Sequence, residues 1–307
     1  MNAPRSVLIC PATSAKMASK AAASDADLAV LDLEDAVAPS EKSGARAAVV
    51  EAFGALDWQG RRPAWRVNAA NTMWCFRDLI EVVEGAGADA GLVVMPKAES
   101  AAQVAFVDIL LTQLETALGL TNPVALHVQI ESARGLANIR DIAQASPRIE
   151  ALVWGPGDYA ATAGMPHAVI GVPDEHDAAY PGHRFGYAMH ELLVAARLAG
   201  VAAIDGPYAD FRDLEGLRRS CQIARALGYD GKWCIHPGQV ETVNEVFSPT
   251  EAEIAEARGI LGAYEAATAA GSGAVVHDGV MVDAASIRMA ESTLARLGRG
   301  ASREMEN

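Results

Sequence analysis

Eight short β-rich runs, each followed by a stretch with helical periodicity, constrain the fold of this chain more than any other feature. The runs fall at residues 6–10, 28–33, 63–68, 91–96, 125–131, 151–155, 202–205 and 232–236. Between them, segments such as 77–84 (RDLIEVVE), 102–118 and 189–198 repeat their apolar residues with the helical period. Thr13, Ser40 and Ser100 are placed to cap helix starts, and Gly200 and Gly228 to end helices. Eight strand-helix units within 307 residues predict an α/β fold, a TIM (β/α)8 barrel rather than a doubly wound sheet. The turn after the first run, Pro11-Ala-Thr-Ser14, also lacks the GxGxxG of a dinucleotide fold. We assign residues 1–247 to the barrel and 248–307 to a C-terminal lid segment over a barrel mouth, its own or a neighbour's. That segment reads as a helix at 250–269, a Gly-rich turn at 271–273, a β-like piece at 274–282 with Asp278-Gly279 as hairpin turn, and a helix at 284–297.

Composition narrows the partners. With 51% apolar and 21% charged residues the chain reads as a soluble globular protein. A net charge of −14 argues against nucleic acid and anionic membranes, which need a basic face. An anionic substrate then needs local Lys or Arg, or a metal. The four cysteines (Cys10, Cys75, Cys221, Cys234) have no CxxC spacing and read as reduced, small hydrophobes. The N-terminal run is no signal peptide, and no continuous apolar run reaches the ~18 residues of a membrane span, so a cytoplasmic enzyme is expected.

The strand ends carry the chemistry, because active sites of this fold lie on the C-terminal face of the barrel. They bear Asp32, Glu34 and Asp35; Arg66 and Asn68; Lys97; Glu131 and Ser132; Asp158; Asp205; and His236. Glu131 and Asp158 are the best metal ligands, two carboxylates leaving most of an octahedral Mg2+ shell to water and substrate. The alternative is that they cap the helices that follow. Arg66 leaves an apolar strand and must meet an anion, either a substrate or a salt bridge to Glu34 or Asp35. The acids Asp32, Glu34 and Asp35 either support the metal through water or pair with Arg66 and Lys97. His236 reads as a hydrogen-bonding rim residue more than a general base. His167, His176, His183 and His190 match no zinc spacing and read as loop residues near the site. Neither a GxSxG elbow nor a P-loop occurs.

These residues carry a resemblance. Leu31-Asp-Leu-Glu-Asp-Ala-Val-Ala-Pro39, Arg66-Val-Asn68, Met95-Pro-Lys97, Ile130-Glu-Ser132, Asp205-Gly-Pro207 and Gly231-Lys-Trp-Cys-Ile-His-Pro237 resemble the citrate lyase β-subunit-like CoA ester lyases of the HpcH/HpaI aldolase superfamily. The tracts Asn244-Glu-Val-Phe-Ser-Pro-Thr250 and Val282-Asp-Ala-Ala-Ser-Ile-Arg288 are most similar to the malyl-CoA lyase branch. The resemblance implies a Mg2+-dependent (or Mn2+-dependent) aldol-type lyase that assembles as a homotrimer or homohexamer. Its metal ligands fall on Glu131 and Asp158 and its substrate-binding arginine on Arg66. Its catalytic acid/base falls on Asp283, in a lid that in relatives closes over a neighbouring subunit. From the residues alone Asp283 is an N-cap. Lys20 matches a lysine that meets the CoA phosphates, and Lys16 stands where the family usually has an arginine, so the bidentate fork is lost there.

The expected reaction is reversible cleavage of malyl-CoA (or methylmalyl- or citramalyl-CoA) to a 2-oxo acid, glyoxylate or pyruvate, and an acyl-CoA. The competing readings are a malyl-CoA or citramalyl-CoA thioesterase using the same site, a citrate lyase-type subunit working only in a complex, and a class II pyruvate aldolase without CoA.

Overall fold

The computed structural model describes residues 3–166, 169–180, 183–269, 271 and 275–297. It divides into two compact units, one spanning Ala3–Asn244 and the other starting at Glu245. In the first, eight parallel strands close into a barrel in sequence order. They are β1 (Ser6–Pro11), β2 (Leu28–Asp32), β3 (Ala64–Arg66), β4 (Leu92–Met95), β5 (Ala125–Ile130), β6 (Ile149–Trp154), β7 (Ala202–Asp205) and β8 (Gly231–Cys234). The expected TIM barrel is therefore the observed one. Val7, Val30, Ala64, Val94, Val153, Ile204 and Trp233 belong to a buried cluster drawn from every strand, which fills the barrel interior.

Helices α1 (Ala15–Ala22), α2 (Lys42–Ala55), α3 (Cys75–Ala86) and α4 (Ala101–Leu118) follow the first four strands. The short α5 (Ala133–Ala137) and α6 (Ile139–Ala143) follow β5, and α7 (Pro156–Thr162), α8 (Glu175–Ala179) and α9 (Gly186–Ala199) follow β6. Helix α10 (Leu214–Leu227) lies between β7 and β8, and α11 (Val240–Phe247) follows β8. Ser100 caps α4 by accepting the Gln103 N–H, and Gly200 and Gly228 end α9 and α10 in the left-handed conformation, as expected.

Two expected caps are corrected. Ser14, not Thr13, caps α1 by accepting the Met17 N–H. Helix α2 starts after Glu41 without a side-chain cap; Ser40 plays no such part. Instead the buried Lys42 ammonium donates to the Leu33 and Glu34 carbonyls, tying the helix start to the loop after β2.

By length and composition α4 reaches the threshold of a membrane span, which reading for continuous apolar runs did not anticipate. It nevertheless carries Asp108 and Glu115, both held by Arg148, and it buries Val104, Val107 and Leu111. This is the pattern of a helix in the outer ring of the barrel.

The second unit holds α12 (Glu251–Ala269), the antiparallel strands β9 (Val275–His277) and β10 (Val280–Val282), and α13 (Ala284–Ala295). Asp278 and Gly279 link the two strands with φ of 47° and 81°. Positive φ at both central residues is what a tight two-residue hairpin demands, so the expected Asp-Gly turn is present. The expected Ser272, Gly273 and Ala274 positions lie outside the described residues.

Candidate active site

Strand alternation sends Asp32 and Arg66 into the barrel mouth, in phase with Val30 and Ala64. There Arg66 Nε and Nη2 donate to Asp32 Oδ1 and Oδ2, both at 2.7 Å, in a bidentate pair. Asp32 also accepts the N–H groups of Glu34 (2.9 Å) and Ala36 (3.0 Å), folding the following loop back over the strand end. Burial opposes the Asp32 charge, but Arg66 and the two N–H groups outweigh it and hold the carboxyl below its usual range. The bidentate partner of Arg66 is thus Asp32. Glu34 adds a contact of 3.1 Å to Nη1, and Asp35 pairs with Lys97 instead. The arginine is oriented rather than consumed: Nη1 and Nη2 retain N–H groups for a further oxyanion.

Lys97 organises the opposite side. Its φ is +51°, a left-handed conformation that costs a residue with a Cβ about 1–2 kcal/mol. That backbone aims its N–H at Glu131 Oε1, 3.0 Å away. Its ammonium reaches Glu34 at 2.8 Å, Asp35 at 3.0 Å and Asp158 at 3.7 Å. One strained lysine therefore touches both candidate metal ligands, one through its backbone and one through its side chain.

The two ligands differ from their expected settings. Glu131 directly follows β5, and the cap of α5 falls to Ser132, which accepts the Gly135 N–H, so Glu131 is not a helix cap. Asp158 is not at a strand end: β6 stops at Trp154, and Gly155-Pro156 turn the chain into α7, whose first turn carries Asp158. The turn needs glycine. A Cβ at Gly155 would lie 2.3 Å from Glu131 Cγ, a steric overlap that would displace the carboxylate.

The donor set fits a hard divalent cation. Burial, together with Glu34 and Asp158, pushes the Glu131 carboxyl up to about 8 despite Arg66 and the Lys97 N–H. That N–H is its single hydrogen-bond donor among the described residues. Glu34 Oε2 is also buried and, beyond its 3.1 Å ion contact with Arg66 Nη1, has no hydrogen-bond partner among the described residues. A buried carboxylate crowded by others and short of donors is what a cation would relieve, and oxygen donors suit Mg2+ or Mn2+.

A stability prediction follows. The raised folded-state value means that Glu131 favours the fold below its ordinary range and loses that contribution as pH rises through about 8. In EDTA, Glu131→Gln should therefore melt above the wild type at pH 8.5, with the gap closing at pH 5. Equal melting temperatures at both pH values would contradict it.

The remaining expected residues are placed as follows. Lys16 and Lys20 stand exposed one turn apart on α1, without an ion-pair partner among the described residues. Asp283 belongs to the second unit, where it caps α13 by accepting the Ala285 and Ser286 N–H groups, which hold its carboxyl low. Asn68 donates to Asp78, which also binds Arg46, a structural link. Asp205 pairs with Lys232 on the outer face of the sheet. His236 accepts the Gly238 N–H and stacks on Phe211, the rim role expected of it. His176 and His190 lie on α8 and α9, and His167 lies outside the described residues. His183 is a correction: it lines a cavity outside the barrel wall rather than the acidic cluster. All four cysteines are buried and free, and burial pushes Cys10, Cys75 and Cys221 up to about 12, which leaves them unreactive.

Two residues escaped sequence reasoning. Gln129 Oε1 and Trp233 Nε1 are buried and unpartnered, and Trp233 lies 5.7 Å from the Arg66 guanidinium. Gln129 left one signal, a polar side chain that with His127 interrupts an apolar strand.

Acidic oxygen donors beside an oriented arginine, at the C-terminal mouth of a TIM barrel, are the equipment of an enzyme acting on small oxyanions. Residues 5–237 match the HpcH/HpaI aldolase/citrate lyase family, and this chain belongs to it. It is a lyase. It is 42% identical, over 94% of its length and 92% of the relative's, to an L-malyl-CoA/beta-methylmalyl-CoA lyase of Cereibacter sphaeroides. It is 37% identical to a (3S)-malyl-CoA thioesterase of the same species, over 95% of this chain and 94% of that one. Among solved structures it resembles CitE of Mycobacterium tuberculosis in complex with magnesium, acetoacetate and coenzyme A. The TM-score is 0.77 at 32% identity, covering 97% of this chain and all of that one.

Proposed function

We propose that the chain is a Mg2+-dependent CoA ester lyase that cleaves malyl-CoA or β-methylmalyl-CoA reversibly to glyoxylate and an acyl-CoA. The observation that carries this reading is the buried Glu131 carboxylate beside Asp158, facing an arginine whose orientation Asp32 dictates. The 42% identity to a lyase of that specificity supports it. Glu131 and Asp158 would hold the Mg2+, which when bound polarises the oxygens of the 2-hydroxy or 2-oxo acid.

The chain's own groups do the rest. Arg66 offers its remaining N–H groups to the oxygen on which charge develops, already oriented and so without reorganisation cost. In cleavage the hydroxyl proton passes to the Asp283 carboxylate, directly or through water, as the C–C bond breaks and its electron pair passes to the thioester as an enolate. Asp283 then returns that proton to the enolate carbon. In condensation the same carboxyl, kept ionised by two N–H groups, removes that proton. Lys16 and Lys20 would meet the CoA phosphates, and Lys97 with Asp32, Glu34 and Asp35 holds the site in shape.

We further propose that the second unit is a lid for the barrel of a neighbouring copy in a homotrimer or homohexamer of a cytoplasmic enzyme. The same unit that carries Asp283 exposes Val276, Val280, Met281 and Met289, apolar surface suited to excluding water from an enolate.

The thioesterase relative supports a second reading, hydrolysis at the same site. Product analysis separates them. With malyl-CoA and Mg2+ the lyase reading predicts acetyl-CoA and glyoxylate, trapped as its hydrazone, in equal amounts. Free CoA thiol and malate without glyoxylate would establish hydrolysis instead.

A further inference from the structure

Asp205 and Lys232 lie in two motifs that the barrel mouth does not use. Each alternates with a residue of the interior cluster, Ile204 and Trp233 respectively, so both side chains face outward toward the helix layer. They are 4% and 2% exposed. Lys232 Nζ donates to Asp205 Oδ2 at 2.5 Å, and Asp205 Oδ1 accepts the Gly206 N–H at 2.8 Å. An ammonium has three N–H groups. Asp205 is the one hydrogen-bond acceptor Lys232 has among the described residues, and unfilled donors on a buried charge are costly.

Lys232 and Asp205 line a cavity of about 420 Å3 between the sheet and helices α9 and α10, within the size range of small-molecule sites. Trp154, Phe185, Met189 and Ile223 give it apolar walls. Of its other charged residues Arg184 is paired with Asp177 at 2.9 Å, while Arg219 and Ser220 of α10 add a further cation and a hydroxyl. Among the described residues Arg219 pairs with Glu215 alone, at 3.4 Å, a solvent-exposed and therefore weak ion pair. A structural ion pair alone needs neither the empty volume nor the further cation of Arg219.

We propose that this cavity is a second binding site, taking a small monoanion with an apolar body whose carboxylate meets Lys232 and Arg219. It lies across the barrel wall from Glu131 and Arg66, so it stands whether or not the chain proves to be a malyl-CoA lyase.

The test uses the full-length protein in EDTA, with trans-cinnamate as probe and trans-cinnamamide as its uncharged isostere, followed by calorimetry and saturation-transfer NMR. Cinnamate is expected to bind about tenfold or more tightly than the amide, the weight of one charge-assisted hydrogen bond. Arg219→Gln should weaken cinnamate several-fold and leave the amide unchanged. Ser220→Trp, which fills the cavity, should abolish binding of both while the variant keeps the wild-type melting profile and its malyl-CoA turnover. Equal affinity for acid and amide, no binding of either, or binding that survives Ser220→Trp but is lost in Arg66→Met would each overturn the proposal.

Discussion

Arg66→Met is expected to lower malyl-CoA turnover by about 10²–10³-fold, the usual cost of losing one preorganised donor to a developing oxyanion. The side chain cannot be lost in isolation, because its Nε and Nη2 neutralise Asp32 inside the barrel mouth. Removing one partner of a buried pair leaves the other charge stranded, at about 3–5 kcal/mol. The single variant should therefore also melt well below the wild type. Asp32→Asn combined with Arg66→Met removes the stranded charge, and should recover most of the melting temperature and none of the turnover. Arg66→Lys keeps the charge without the planar fork and should recover only part of either. Glyoxylate release and thermal unfolding, measured on the same preparations, separate the two roles. Near-normal turnover in Arg66→Met would remove the arginine from the chemistry.

The second large effect is a recovery. Glu131→Gln and Asp283→Asn should each be nearly inactive alone, the latter by about 10²–10⁴-fold if Asp283 transfers the proton. Suppose the lid of one copy serves the barrel of the next. Co-refolding or co-expressing the two variants in equal amounts then pairs an intact barrel with an intact lid at about a quarter of the sites, by random assembly of a symmetric oligomer. The mixture should regain about that share of wild-type turnover. If each lid serves its own barrel, every site keeps one lesion and the mixture stays inactive. Glu131→Gln suits this test because the amide oxygen can still accept the Lys97 N–H.

The barrel was legible because strand and helix periods alternate eight times, and strand ends of such a fold face one rim. Asp32, Arg66 and Glu131 could therefore be named from position alone. The pairing among them could not. That Asp32 rather than Glu34 or Asp35 would take the bidentate face of Arg66 depends on the register of β2 against β3, which sets Asp32 opposite Arg66, and on the loop fold that leaves Glu34 one contact with Nη1 and gives Asp35 to Lys97. Asp158 read as a strand end because Ala151-Leu-Val-Trp154 and Asp158 are only a few residues apart. Gly155-Pro156 in fact starts a helix, with proline at a position where its missing N–H costs nothing. The left-handed Lys97 left no local sign, since nothing in Met95-Pro-Lys97 asks for positive φ; it is imposed by Glu131 and the acids that surround it. Asp283 announced itself only as an N-cap, which it also is.

The account stands on Glu131 and Asp158 as the ligands of one divalent ion. Titrating metal-stripped protein with Mn2+, and following free Mn2+ by electron paramagnetic resonance, tests this without reference to turnover. The prediction is one Mn2+ bound per wild-type chain, displaced by Mg2+, and loss of that site in Glu131→Gln and in Asp158→Asn while both variants keep the wild-type circular dichroism. One Mn2+ per chain, held with undiminished affinity in the Glu131→Gln and Asp158→Asn double variant, would contradict it.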